Sequence, residues 1–166
     1  MINTTPKVII CDIDGTISDA THRLHLIKSK PKNWKHFFAQ SIHDSIYEDV
    51  HWLVNLFVET GNKVLFVTAR PENEREKTIE WLHNIADMKG KYEKLYMRYP
   101  GDYRDDNIVK KDILQEIYND GYDPFLALDD RDHVVNMWRQ EGLFCFQVRN
   151  ENGVGAIWEQ HLIDEK

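Results

Sequence analysis

Short apolar runs of strand length, separated by stretches with helical periodicity, recur along this chain and narrow the folds open to it. The runs are residues 8–11, 63–67, 95–97, 125–128 and 143–148. They are apolar on consecutive positions, as strands buried on both faces are. Between them, Ile46, Val50, Leu53, Val54, Phe57 and Val58 fall at helical spacing, with Gly61 as a stop. Pro71 stands at a first-turn position and opens a helix carrying Ile79, Leu82 and Ile85. Residues 108–118 and 134–138 are further helical candidates. Alternation of this kind predicts an α/β fold, a Rossmann-like and mostly parallel sheet with helices on both faces. The 166 residues suit one domain spanning 1–166. Residues 17–45 do not fit the alternation and are read as a small helical cap insertion, with Ser29-Lys30-Pro31 as a break. No repeat or long linker occurs, and residues 151–166 are assigned to no element.

In an open parallel sheet, ligands bind beyond the carboxyl ends of the strands. Polar clusters collect there. Asp12 and Asp14 end the first run, in Asp12-Ile13-Asp14-Gly15-Thr16. Thr68-Ala69-Arg70 ends the second, Asp129-Asp130 ends the fourth, and Asp106 and Lys110 open the helix beginning near Asn107. Taken alone, Asp-x-Asp-Gly is also a strand-closing turn whose Asp14 and Thr16 bond local backbone. The convergence favours a site. Residues two apart on a strand share a face, so Asp12 and Asp14 look into one pocket, where two carboxylates call for a cation. Mg²⁺ suits a few carboxylates plus phosphate.

The groups present fit phosphoryl transfer. Asp12 is the candidate nucleophile, giving an aspartyl-phosphate, and Asp14 the candidate acid and base. Mg²⁺ would be held by Asp12, the Asp14 backbone carbonyl and Asp129 or Asp130. Thr68 offers a hydroxyl and Ala69 neighbouring backbone to the substrate, and Lys110 offers a compact charge. Lys111 is the neighbouring candidate for that role, but one helical step turns it about 100° away. Arg70 suits bidentate contact with an anion, its alternative being an ion pair with Glu72 or Glu76.

This combination resembles the haloacid dehalogenase superfamily of aspartate-nucleophile phosphatases across residues 7–150. Asp12-Ile13-Asp14-Gly15-Thr16 matches the first motif, Thr68 the second, Lys110 the third and Asp129-Asp130 the fourth. Residues 101–110 and 126–148 are similar to the 3′-phosphatase domain of bacteriophage-type polynucleotide kinase-phosphatase, and Arg23 matches an extra arginine of that family. The resemblance places Arg23, Arg70 and Asp106 around the phosphate and leaving group. It implies removal of a 3′-phosphate from DNA or RNA ends or from a nucleotide. The alternatives are a nucleotidase for mononucleotides or another small phosphometabolite, phosphotransfer to an acceptor other than water, and a silent module that binds phosphorylated ends. No Gly-x-x-x-x-Gly-Lys-Ser/Thr loop occurs, so the kinase half has no counterpart here. Residues 20–45, apart from Arg23, depart from the family pattern.

Composition bounds the partners. With 30% charged and 42% hydrophobic residues the chain reads as globular. No apolar run nears the roughly 18 residues of a membrane span, and the first residues lack a signal pattern. Cys11 and Cys145 sit in apolar segments as small buried hydrophobes, not a disulfide or metal pair. A cytoplasmic location without membrane contact is expected. A net charge of −7 argues against an extended grip on nucleic acid. Yet no acidic residue lies between Asp19 and Asp44, where lysines and histidines interleave with Trp34, Phe37 and Phe38. That stretch is either a guide for an anion with a stackable base, Trp34 being the candidate ring, or a solvated basic helix with an aromatic core face. His22, His25 and His36 are spaced for metal but lack a fourth ligand, so they read as surface or core residues.

Overall fold

A computed structural model describes residues 6–28 and 30–148. In chain order the elements are β1 (Val8–Cys11), β2 (Ser18–Asp19), α1 (His25–Lys28), α2 (Trp34–Ala39), β3 (Ser45–Ile46), α3 (Glu48–Glu59), β4 (Lys63–Pro71), α4 (Arg75–Asn84), β5 (Lys94–Arg98), α5 (Asp106–Asn119), β6 (Pro124–Asp129), α6 (Asp132–Gln140) and β7 (Phe144–Gln147). The main sheet has five strands in the order β5-β4-β1-β6-β7, every neighbouring pair parallel. Parallel neighbours need crossovers, which the intervening helices supply. The most apolar run, Val8–Cys11, takes the central position and is buried at every residue.

Two cores follow from the two faces. Ile10, Leu65, Val67 and Ala127 pack with Ile113, Leu114 and Ile117 of α5 and with Val134, Val135 and Trp138 of α6. Cys11, Val64, Phe66 and Leu128 pack on the other side with Val54 of α3 and Trp81 and Leu82 of α4. The strand alternation required by the pleat thus distributes β1 between both layers. Among the described residues no helix is long and apolar enough to cross a membrane.

The expected α/β architecture is present, with two local differences. Pro71 does not open a helix. It ends β4 with extended backbone (φ −71, ψ 151), and α4 starts at Arg75 after a 3₁₀ turn over Glu72–Glu74. A ring that fixes φ serves a strand end as well as a helix start, because neither position needs its N–H. Residues 17–45 also contain more than helix. Ser18–Asp19 and Ser45–Ile46 pair antiparallel, closing the segment at its base, and Tyr47 N–H donates to the Ile17 carbonyl at 2.9 Å. Inside that closure α1 and α2 carry their own small core of Ala20, Leu24, Ile27 and Phe37, with Asn33 capping α2 through its side chain. Cys11 and Cys145 are free and buried. Residues 151–166 lie outside the described residues.

Candidate active site

The site begins with the backbone leaving β1. Asp12 N–H donates to the Leu128 carbonyl at 3.0 Å, so the nucleophile candidate is still held by the sheet. The Ile13 carbonyl then accepts from Thr16, Ile17 and Ser18 N–H at 3.1, 3.1 and 2.9 Å, coiling the chain tightly. Gly15 has φ 83, a conformation that a Cβ resists, and this is why glycine follows Asp14. The motif is therefore a turn, but its side chains do not serve the turn. Thr16 Oγ1 donates to Asp12 Oδ2 at 2.9 Å, and the Asp14 carboxylate is taken by arginines.

Lys110 projects from the second turn of α5 and is 2% exposed. Its ammonium donates to Asp12 Oδ1 and to Asp129 Oδ2, each at 2.7 Å. Lys111 turns outward to Glu141 at 2.6 Å, as a 100° step on a helix requires. Asp129 Oδ2 also accepts from Trp138 Nε1 at 3.1 Å, so this buried indole serves the site as well as the core. Asp12, Asp129 and Asp130 can each present a carboxylate oxygen within 4.8 Å of the others. Both oxygens of Asp130 are buried without a hydrogen-bond partner.

The electrostatics are those of a cluster short of positive charge. Burial, supported by Asp129 and Asp14 and opposed by Lys110, pushes the Asp12 carboxyl up to about 7. Burial, then Asp12 and Asp129, raises Asp130 well above the carboxylate range. Burial opposes the charge on Lys110, but Asp12 and Asp129 outweigh it and hold the ammonium protonated. Three buried carboxylates facing one ammonium, with two acceptor oxygens unused, fit a hard divalent cation of oxygen preference. The Asp14 carboxylate stands apart from this trio.

Asp14 belongs to a second cluster. Arg70, from the end of β4, donates through Nε to both Asp14 oxygens at 3.1 and 3.0 Å and through a terminal nitrogen at 2.5 Å. Arg23 donates to Asp14 Oδ1 at 2.6 Å and to Asp44 at 2.8 and 2.6 Å, with its guanidinium 4.1 Å from the Phe37 ring centroid. Burial would raise the Asp14 carboxyl, but Arg23 and Arg70 prevail and hold it well below the usual range. Arg70 therefore pairs with Asp14 and Asp44 in place of the alternative Glu72 or Glu76, and Glu72 pairs with Arg75.

The hub of this cluster escaped the sequence reading. Asp44 is 2% exposed and accepts from Ser18, His22, Arg23 and Arg70, while Trp81 Nε1 donates to its carbonyl at 2.8 Å. Its only sequence signal was its place as the first carboxylate after the acid-free stretch. His22 is thus engaged by a carboxylate, and His25 by the His22 carbonyl at 3.0 Å. Asp106, at the head of α5, accepts from Arg98 and Arg131.

Asp12, Asp14, Lys110, Thr68, Ala69, Arg70 and Asp106 line one cavity of about 770 Å³. Thr68 is almost fully buried, and its Oγ1 accepts from Arg70 N–H at 3.1 Å. Arg23, Asp129 and Asp130 are buried and do not line this cavity; Arg23 is joined to the lining through Asp14, and Asp129 through Lys110.

A central parallel strand ending in paired acids, with a lysine and a second acidic pair beside it, defines a haloacid dehalogenase-type phosphatase domain. Residues 6–152 match the family model described as the polynucleotide kinase PNKP phosphatase domain, and the chain belongs to that family. A chain of the Pnkp1/Rnl/Hen1 complex is 35% identical, with a TM-score of 0.69 over 88% of this chain and 47% of that one. A putative bifunctional polynucleotide kinase/RNA ligase from Autographa californica nuclear polyhedrosis virus is 25% identical over 81% of this chain and 18% of its own length. This chain therefore spans about half of the first relative and a small part of the second. The class C acid phosphatase from Bacillus anthracis shares the fold, at 17% identity and a TM-score of 0.66 over 99% of this chain and 74% of that one.

Proposed function

We propose that this domain hydrolyses terminal 3′-phosphates of polynucleotides through an aspartyl-phosphate on Asp12. The observation that carries the reading is Asp12 itself. It faces a large cavity with one oxygen on Lys110 and the other on Thr16, so its carboxylate is aimed and partly neutralised at the cavity wall. Two resemblances support the substrate: the family to which the chain belongs, and a 35% identical chain found in an RNA repair complex. Loss of activity on mononucleotides is not required by this reading; activity on 3′-ends is.

Asp12, Asp129 and Asp130 would hold Mg²⁺, which supplies charge neutralisation for the phosphate and the attacking carboxylate. The protein's own groups then do the following. Thr68 Oγ1 and the backbone N–H groups near it bind the phosphoryl oxygens, and Lys110 orients Asp12 and draws its carboxyl back toward ionisation against burial. An Asp12 oxygen forms a bond to phosphorus as the bond from phosphorus to the 3′-oxygen breaks, and Asp14 gives that oxygen a proton. Water then attacks the same phosphorus, Asp14 takes its proton, and the Asp12–phosphorus bond breaks to release phosphate. In the free protein Asp14 is an anion clamped by Arg23 and Arg70. An incoming phosphate that draws Arg70 to itself weakens the clamp and lets Asp14 accept the proton it later donates.

The test is release of phosphate from 3′-phosphorylated oligonucleotides and from a panel of mononucleotides, with Mg²⁺ and with EDTA. Turnover of 3′-ends that EDTA abolishes is expected, and Asp12→Asn should lower it by at least about 1,000-fold. Turnover confined to mononucleotides would sink the reading. Full hydrolysis by Asp12→Asn would remove Asp12 as nucleophile.

A further inference from the structure

The cavity is far larger than a phosphate. At about 770 Å³ it falls among sites that enclose whole organic ligands, roughly 300–1,000 Å³. The chemistry occupies one end. The rest of the lining carries five aromatic rings among polar and charged side chains, Trp34, Phe37 and Phe38 from α2 and Tyr99 and Tyr103 from the loop after β5. Trp34 is 46% exposed. Phe38 stacks against it (centroids 5.8 Å apart, planes at 22°), and the buried Phe37 meets it edge-on at 5.7 Å. One side of the indole is thereby braced by the small core of the inserted segment while much of the ring stays open. Tyr103 is 94% exposed, yet its loop is fixed, because Arg98 donates to the Asp102 and Arg104 carbonyls at 2.9 and 2.7 Å. Braced aromatic rings that no core covers, beside a reactive carboxylate, have the form of a stacking platform.

Charge agrees. The Trp34 wall is the acid-free part of a chain of net charge −7, and Lys32 and Lys35 line the same cavity, Lys32 Nζ lying 5.8 Å from the Trp34 ring centroid. A strand leaving the reactive end along this wall meets ammonium groups and open rings.

The geometry points to a base-stacking subsite in which Trp34, braced by Phe38, takes the face of an unpaired base near the 3′ end while the terminal phosphate reaches Asp12. Tyr99 and Tyr103 offer further exposed rings in the same cavity, and Lys32 and Lys35 face the next phosphate of the strand. The inference rests on the 3′-phosphatase reading and specifies its substrate class as unpaired ends, chosen by ring stacking with little regard to base identity.

The test measures kcat/KM on a short 3′-phosphorylated single strand and on the same strand lacking its terminal bases, for the wild type, Trp34→Ala and Trp34→Phe. The wild type should prefer the complete strand by roughly 5- to 100-fold, the range that stacking of one base supplies. Trp34→Ala should bring that preference down to about one, and Trp34→Phe should keep most of it. A preference undiminished in a folded Trp34→Ala, or no preference in the wild type, overturns the subsite. Wild type that releases phosphate from neither strand overturns the 3′-phosphatase reading, and the subsite with it. If Trp34→Ala fails to fold, tryptophan emission decides. The complete strand should quench it in Asp12→Asn and not in the Asp12→Asn, Trp34→Phe double variant, and equal quenching in the two overturns the subsite.

Discussion

Asp12 and Asp14 are separated by a single residue and titrate in opposite directions, and the difference lies in what surrounds each. Asp12 is buried with other carboxylates and shares its one ammonium with Asp129, so its carboxyl rises to about 7. Asp14 faces two guanidinium groups and stays ionised far into acid. A raised folded-state pKa means that the folded protein binds that proton more tightly than the unfolded chain does. Asp12 therefore adds stability at acidic pH that is lost as pH rises through about 7, and Asp130 shifts the same way. Asp14 contributes in full at neutral pH and loses its contribution only in strong acid. In EDTA the melting temperature should accordingly fall as pH is raised from mildly acidic to mildly alkaline. With Mg²⁺ the fall should flatten or reverse, because a divalent cation takes the place of the protons. Scanning calorimetry across that interval, with and without the metal, checks both halves. A metal-free melting temperature that climbs with pH would contradict the assignment.

At the level of elements, the short β2–β3 pairing places Asp44 against both arginines, so that the two buried guanidinium groups share two carboxylates, Asp14 and Asp44. Asp44→Ala should cost up to about 3–5 kcal/mol in urea denaturation, the range for removing one partner of a buried ion pair, because it leaves two buried guanidinium groups to share Asp14 alone. Asp44→Asn, which keeps acceptor geometry, should cost less. Among the elements, what could be read beforehand follows a simple physical division. Asp12, Thr68, Lys110 and Asp129 were legible because each stands at the end of an apolar run or the start of a periodic one, and a parallel sheet collects such ends on one edge. Asp44 was not, because its partners lie 21 and 26 residues away in sequence and only the closure of an unpatterned insertion brings them together. Pro71 was misplaced for a different reason. A missing N–H and a fixed φ are equally at home at the end of β4 and at the start of a helix, and the strand prevailed through its pairing with Arg98. The brace of Phe38 beneath Trp34 was likewise hidden, since an aromatic cluster reads the same whether it covers a core or a ligand.

On the scale of the whole molecule, an acidic protein carries a local basic wall beside its cavity, which limits how much of a polyanion it can hold. Few phosphates should be neutralised. The logarithm of kcat/KM on a single strand should fall with the logarithm of salt at a slope of about −1 to −2, since each neutralised phosphate contributes roughly −0.7. A slope several times steeper would reveal a longer track. The strand order has another consequence. β1 lies at the centre, with β4 and β6 on its two sides, and Lys110 bonds to Asp12 across 98 residues of sequence. Asp12 is thus synthesised well before the two side chains that complete its surroundings. Until the chain has delivered Lys110 and Asp129, the nascent protein carries a carboxylate with neither its cation nor its neighbour. The surroundings of Asp12 are thus completed by the same long-range strand pairing that completes the sheet, so the chain cannot hold the site without holding the fold.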